Sequence, residues 1–243
     1  MSQSINQNHI HMKKTALVTG TTGGIGGAIA RRLLAEGYTV YAPVRNIEKA
    51  HAVFSPESAI IFSEFDFANE EHAAQYISSA DTGGIVFDAI FLAAGRFDWD
   101  SNFQGDDIET KRKNAIQSLI ESNYVTKESI IHALLESYAD RLKDTTLVLI
   151  SSQAAHFTET DPRRTNEEGY VQSMQRVSAF GADLARMGTF KHVIIEEPPL
   201  VNTDSVRTKF TAATIGTDPE WRDPQKVLQP DEYAADLVSK IAA

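Results

Sequence analysis

Thr19-Gly20-Thr21-Thr22-Gly23-Gly24-Ile25-Gly26 crowds four glycines into one short stretch. A phosphate needs backbone N–H groups with no side chain in the way and the positive end of a helix dipole, and a glycine turn that opens a helix supplies both. The spacing Gly20, Gly24, Gly26 reads Gly-x-x-x-Gly-x-Gly, which differs from the Gly-x-Gly-x-x-Gly dinucleotide fingerprint. No Gly-Lys-Ser or Gly-Lys-Thr follows, which excludes a nucleoside-triphosphate loop. The plain alternative is a tight strand-to-helix turn with no ligand, but such a turn has little use for so many glycines. Other chemistries drop out quickly. The chain has no cysteine, so it carries no disulfide, thiolate metal site or cysteine nucleophile. No His/Asp/Glu group has metal-ligand spacing, and no catalytic metal is expected.

The elements that must position this turn alternate regularly. Ala16–Thr19 reads as a strand, followed by a helical stretch over Ile25–Glu36. Further strands are expected at Thr39–Val44, Ala59–Phe65, Val86–Leu92, Thr146–Ile150 and His192–Glu196. Helices are expected from Asn69 to about Ser79, over Ala115–Arg141 with a break near the middle, over Tyr170–Met187, and from Pro230. Strands separated by helices predict βαβ units on a parallel sheet. Asp98–Gly105 and Thr203–Gln229 are the long irregular segments, and at the carboxyl edge of such a sheet they become substrate-side loops.

Thr-Gly-x-x-x-Gly-Ile-Gly near the start of the chain resembles the short-chain dehydrogenase/reductase family, and further elements arrive in that family's order. Asp66 in Phe65-Asp66-Phe67 resembles the aspartate that holds the adenine. Ala94-Gly95 is similar to the end of the family's Asn-Asn-Ala-Gly, with Leu92 and Ala93 in place of the asparagines. Asn123 falls where the family keeps a helix asparagine, and Ser152 where it keeps the catalytic serine. Pro198-Pro199-Leu200-Val201-Asn202-Thr203 resembles Pro-Gly-x-Val-x-Thr, whose threonine holds the nicotinamide amide. The resemblance covers residues 13 to about 240. It implies a doubly wound, Rossmann-type α/β fold with six strands in the order 3-2-1-4-5-6 and helices on both faces. It also implies a nicotinamide cofactor contacted by Gly20, Thr22, Gly24, Ile25, Gly26, Arg45, Asp66, Phe67, Ala93, Ala94, Gly95, Pro198, Val201 and Thr203. The end of the second strand selects which one: a carboxylate there binds the ribose of NAD, and an arginine accommodates a 2′-phosphate. Here the chain reads Val44-Arg45, so NADP(H) is the expected cofactor.

The catalytic group implied by the resemblance is Ser152, Tyr170 and Asn123, with one gap. A phenol with a pKa near ~10 is a poor acid or base at neutral pH, and a nearby ammonium moves it closer. The family places a lysine four residues after the tyrosine; here that residue is Met174. None of the seven tyrosines has a lysine at that spacing, and no lysine lies between Lys143 and Lys191. The interval from Ser152 to Tyr170 is longer than the family's usual one, filled by His156–Gly169. Either Tyr170 acts with positive charge from His156, Arg163, Arg164 or Arg176, or the protein binds the nucleotide as a sensor or interaction partner without turnover, or the tyrosine lies elsewhere. A halohydrin-dehalogenase-like variant, which binds no nucleotide, is disfavoured by the intact glycine turn.

The remaining bounds come from composition. Two hundred and forty-three residues with ordinary hydrophobic content suit one compact domain. Residues 1–12 are read as an N-terminal extension or tag and 13–243 as a single nucleotide-binding domain, with a lid at about 203–229. A net charge of −10 repels nucleic acid, and no apolar run is long enough to span a membrane. The polar start has no secretory signature, which makes cytoplasmic the expected location. The expected partner is a small carbonyl or alcohol substrate. The chain ends without the family's seventh strand, so a homodimer through Ala115–Arg141 and Tyr170–Met187, or a monomer, is expected rather than a tetramer.

Overall fold

The computed structural model describes residues 13–54, 59–209 and 227–242. Residues 1–12 and most of the expected lid, 210–226, lie outside the described residues. Six strands, β1 (Thr15–Thr19), β2 (Thr39–Val44), β3 (Ile60–Glu64), β4 (Ala89–Leu92), β5 (Thr146–Ile150) and β6 (His192–Glu196), form one sheet in the order β3-β2-β1-β4-β5-β6. Every pairing is parallel. The strands are short apolar runs because both faces are covered. Leu17 packs into one cluster with Ile90, Leu92, Leu147 and Leu149, while Ala16 and Val18 pack into the other with Ala89, Phe91 and Val148. That alternation is the strand period of two expressed as two cores.

The helices divide between these cores. α1 (Gly24–Ala35) and the C-terminal helix (Pro230–Ala242, α8) cover one face, with Ile29, Leu33, Tyr233 and Leu237 buried there. On the same side α2 (Ile47–Val53) is capped by Asn46, whose Oδ1 accepts from the Lys49 N–H at 2.7 Å. The other face is covered by α3 (Glu70–Thr82), α5 (Thr126–Ser137) and α6 (Glu168–Met187). α4 (Ile108–Ile120) leads into α5 through a π-helical turn at Glu121–Val125. The helix expected over 115–141 with a break near its middle is two helices joined through Asn123, and the pair begins and ends earlier, at Ile108 and Ser137. β4 also begins later than expected, at Ala89. Before it, the Thr15 hydroxyl donates to the Val86 carbonyl and the Asp88 carboxylate accepts from the Thr15 N–H at 2.7 Å, so side chains supplement the backbone bond from the Asp88 N–H to the Thr15 carbonyl. A short helix, α7 (Asp204–Lys209), begins the expected lid.

Candidate functional site

The carboxyl ends of β1 and β4 meet at the glycine turn. Gly20 has φ +73°, and a Cβ there would lie 2.8 Å from the Ala94 Cα. Only glycine lets the turn lie this close to the end of β4. The Thr19 hydroxyl accepts from the Ala94 N–H at 3.0 Å, tying the two strand ends together. Gly24 faces Thr203, whose Cγ2 would be 2.4 Å from an added Cβ, so the segment leading into α7 lies directly on the first turn of α1.

This cradle suits a nucleotide phosphate. The residue preceding α1, Gly23, offers no side-chain cap, and the first turn holds no acidic residue, so no side chain competes with an anion for the helix N-terminus. Beside it Thr21 is buried, and its hydroxyl has no partner among the described residues. A buried orphan hydroxyl at an uncapped helix start is what a bound group would satisfy. At the outer corner, Val44 is buried and Arg45 exposed. Asn46 is spent on capping α2. Asp66 is exposed just past β3, its carboxylate accepting from the Ala68 N–H at 3.2 Å, with Phe67 buried behind it.

On the β5 side, Ser152 and Tyr170 are hydrogen-bonded through their side chains. They share a cleft with Ile25, Phe97, Gln153, Phe157, Arg163, Glu167, Pro198, Pro199, Leu200, Val201, Thr203 and Val206. The sequence reasoning missed much of this wall. Phe157, Arg163 and Glu167 come from the long His156–Gly169 interval, so that interval builds one side of the cleft. Within it the Arg163 guanidinium stacks 3.7 Å from the Phe157 ring centroid and is held by both Asp161 oxygens. The Phe97 ring meets the Tyr170 ring edge-on, centroids 4.9 Å apart.

Tyr170 owes its place to the start of α6. Asp100, buried in a short turn after β4, accepts from the Glu168 and Gly169 N–H groups at 3.0 Å each. It caps the helix from 68 residues away in sequence. Gly169 allows the closest approach to α4, since a Cβ there would lie 2.7 Å from the Ala115 carbonyl carbon. Asn123 is buried in the π turn and fully engaged. Its Oδ1 accepts from the Arg96 N–H at 2.7 Å, and its Nδ2 donates to the Arg96 carbonyl and the Ser173 hydroxyl, both at 2.9 Å. It therefore locks the β4 exit to α6, one turn from Tyr170.

Burial raises the Tyr170 pKa; the hydrogen bond with Ser152 opposes this and the Glu167 carboxylate adds to it. Of the four suggested sources of positive charge, Arg163 lines the cleft. The others are engaged elsewhere: Arg164 forks onto Glu168, Arg176 lies 6.0 Å from the Tyr124 ring centroid, and His156 bonds Glu197 at 2.6 Å. Met174 is buried, 4% exposed, with its carbonyl accepting from the Ser151 hydroxyl at 3.1 Å and its sulfur 3.9 Å from the same oxygen. It packs on β5 one turn below Tyr170.

A profile of the short chain dehydrogenase family matches residues 14–209, and the chain belongs to that family. Among curated proteins it is 31% identical over 72 residues to the agropine synthesis reductase of Rhizobium rhizogenes, a match that spans 29% of this chain and 17% of that protein. Solved structures of the same fold include ElxO with NADP bound, at TM-score 0.75 and 21% identity over 94% of this chain and 91% of that one. The aldohexose dehydrogenase of Thermoplasma acidophilum gives a TM-score of 0.73 at 21% identity over 93% and 86% of the two chains. An actinorhodin polyketide ketoreductase with NADPH gives 0.76 at 20% identity over 94% and 90%. Among the described residues no helix is long and apolar enough to cross a membrane, and no group of three metal-ligating side chains occurs.

Proposed function

We propose that the protein is an NADP(H)-dependent oxidoreductase that interconverts a carbonyl and an alcohol on a small molecule. The observation that carries this reading is the hydrogen-bonded Ser152–Tyr170 pair in a cleft that also reaches Ile25, on the first turn of the helix that the anion-ready glycine turn opens. Gly20, Thr22, Gly24, Ile25 and Gly26 would hold the dinucleotide from one side, and Asp66, Phe67 and Ala93–Gly95 from the next strands. Pro198, Val201 and Thr203 would close over the nicotinamide, and Arg45 would meet the 2′-phosphate. A bound nicotinamide supplies or accepts the hydride. Ser152 orients the substrate oxygen. Tyr170 gives that oxygen its proton in reduction and takes it back in oxidation. Asn123 holds α6 in place. The mostly apolar lining suits a substrate that presents its carbonyl on a hydrophobic body.

A second reading rests on Met174. With no lysine beside it and a pKa raised by burial, Tyr170 is a reluctant acid, as expected of a nucleotide-binding relative that has lost turnover. One assay separates the two: NADPH consumption across a panel of aldehydes and ketones, for the wild type, Tyr170→Phe and Ser152→Ala. Reduction that falls at least about 100-fold in Tyr170→Phe, with NADPH affinity retained, supports the enzyme. Tight NADPH binding with no turnover on any carbonyl supports the second reading. The domain as a whole, 13–243 with a lid over 203–229, is taken to act as a cytoplasmic monomer or as a homodimer through the α4–α5 and α6 helices.

A further inference from the structure

Lys127 is the odd residue of the α3–α5–α6 face. It is 2% exposed on a helix whose neighbouring inward positions are Ile130, Ile131 and Leu134. Its ammonium donates to the Ala94 carbonyl at 2.5 Å and to the Asn123 carbonyl at 2.8 Å. Both acceptors are neutral, and no carboxylate lies within ion-pair distance of it among the described residues. A charged group kept in the interior on two carbonyls alone is costly, and burial lowers its pKa to about 7. Leucine or methionine would fill the same space without that cost.

The location shows what the ammonium can serve. Its Nζ lies 3.7 Å from the point a Gly95 Cβ would occupy, and Ala94 in turn lies against Gly20. Ammonium, β4 end and glycine turn are therefore stacked in direct sequence. The same Nζ holds the carbonyl of Asn123, whose side chain reaches Ser173 on α6. Lys127 thus joins the strand end beneath the nucleotide cleft to the residue that places Tyr170's helix.

We propose that Lys127 is a positioning residue for the nucleotide, fixing the Ala94–Gly95 backbone against Asn123 through its two carbonyl bonds and placing beneath it the positive charge that Met174 does not supply. The inference rests on the proposed NADP(H) binding. A cation below the cleft attracts the pyrophosphate of either redox form. It also disfavours the oxidised nicotinamide, which carries one more positive charge than the reduced ring. The test measures the dissociation constants of NADPH and NADP⁺ by calorimetry at about pH 6, where the ammonium form prevails, for the wild type and Lys127→Met. The wild type is expected to bind NADPH more tightly. In Lys127→Met both constants should rise, that of NADPH by about five-fold more than that of NADP⁺, a factor set by one unit charge across a partly screened interior. A merely structural lysine would move both constants by the same factor, and that result overturns the proposal. Should Lys127→Met fail to fold, the wild type still decides, since equal affinity for the two redox forms also overturns it. A wild type that binds neither nucleotide is a different outcome: it refutes the NADP(H) reading itself, and this proposal with it.

Discussion

Asp100→Ala is expected to damage the protein far more than a change in an irregular loop ordinarily would. The Asp100 carboxylate accepts both the Glu168 and the Gly169 N–H at 3.0 Å from a buried position, with Arg112 3.8 Å away. Alanine leaves two backbone donors at the start of α6 without an acceptor, each costing about 1–3 kcal/mol. Part of that loss is offset, because burial raises the Asp100 pKa despite the two donors. In this pocket the charge is a net burden and the two hydrogen bonds are the gain. The expected net destabilisation is about 2–4 kcal/mol, or a drop in melting temperature of roughly 5–15 °C for a domain of this size. Asp100→Asn keeps one acceptor and discards the charge but turns its amide NH2 toward the second N–H, so it should lose less than the alanine variant, about 1–2 kcal/mol. Urea denaturation of both variants, alongside carbonyl reduction at a temperature where both are folded, checks the reasoning. Reduction should fall in Asp100→Ala because Tyr170 follows Gly169 directly. Equal stability of the two variants, or an alanine variant within about 0.5 kcal/mol of the wild type, would refute the cap.

Three further outcomes are expected. Gly24→Ala should weaken NADPH binding and expose the α7 segment to proteolysis, since its Cβ would lie 2.4 Å from the Thr203 methyl and push that segment off α1; calorimetry and limited trypsin digestion read the two effects. Met174→Lys should melt lower than the wild type without nucleotide, because it buries an ammonium where Met174 is 4% exposed, and should gain more than the wild type from added NADPH. In the wild type, the raised Tyr170 pKa keeps the phenol protonated and able to donate through neutral pH. Alcohol oxidation, which needs the phenolate, should therefore climb with pH past the range of an ordinary phenol, and Met174→Lys should move that limb downward in a pH–rate profile.

The strands and the glycine turn were legible in the sequence because both are local patterns: short apolar runs between amphipathic ones, and glycines between a strand and a helix; the order of the strands in the sheet is not local and followed only from the resemblance to the family. The helix break was expected near the middle of 115–141 but without a position, since a π turn such as the one at Asn123 has no composition of its own. Asp100 was read only as part of an irregular segment, because its partners are Glu168 and Gly169. A cap supplied from another part of the chain leaves none of the local spacing that marks a capping box. Lys127 did leave a signal. Asn123, Lys127, Ile130 and Leu134 are spaced four, three and four residues apart, so they share one helix face, and all are buried. A lysine on an apolar face is the exception that marks it. The cleft wall of Phe157, Arg163 and Glu167 was legible only as a long interval between Ser152 and Tyr170, because the placement of its side chains follows from tertiary packing.

The proposed function depends most on the nucleotide and on Arg45 as its selector. A fluorescence titration of the wild type and Arg45→Ala with NADPH and with NADH tests both together. A charge-assisted bond to a phosphate is worth roughly 1.5–3 kcal/mol, so the wild type should bind NADPH about ten-fold or more tightly than NADH, and Arg45→Ala should lose most of that preference. Equal affinity for the two nucleotides in the wild type, or no binding of either, would contradict the account.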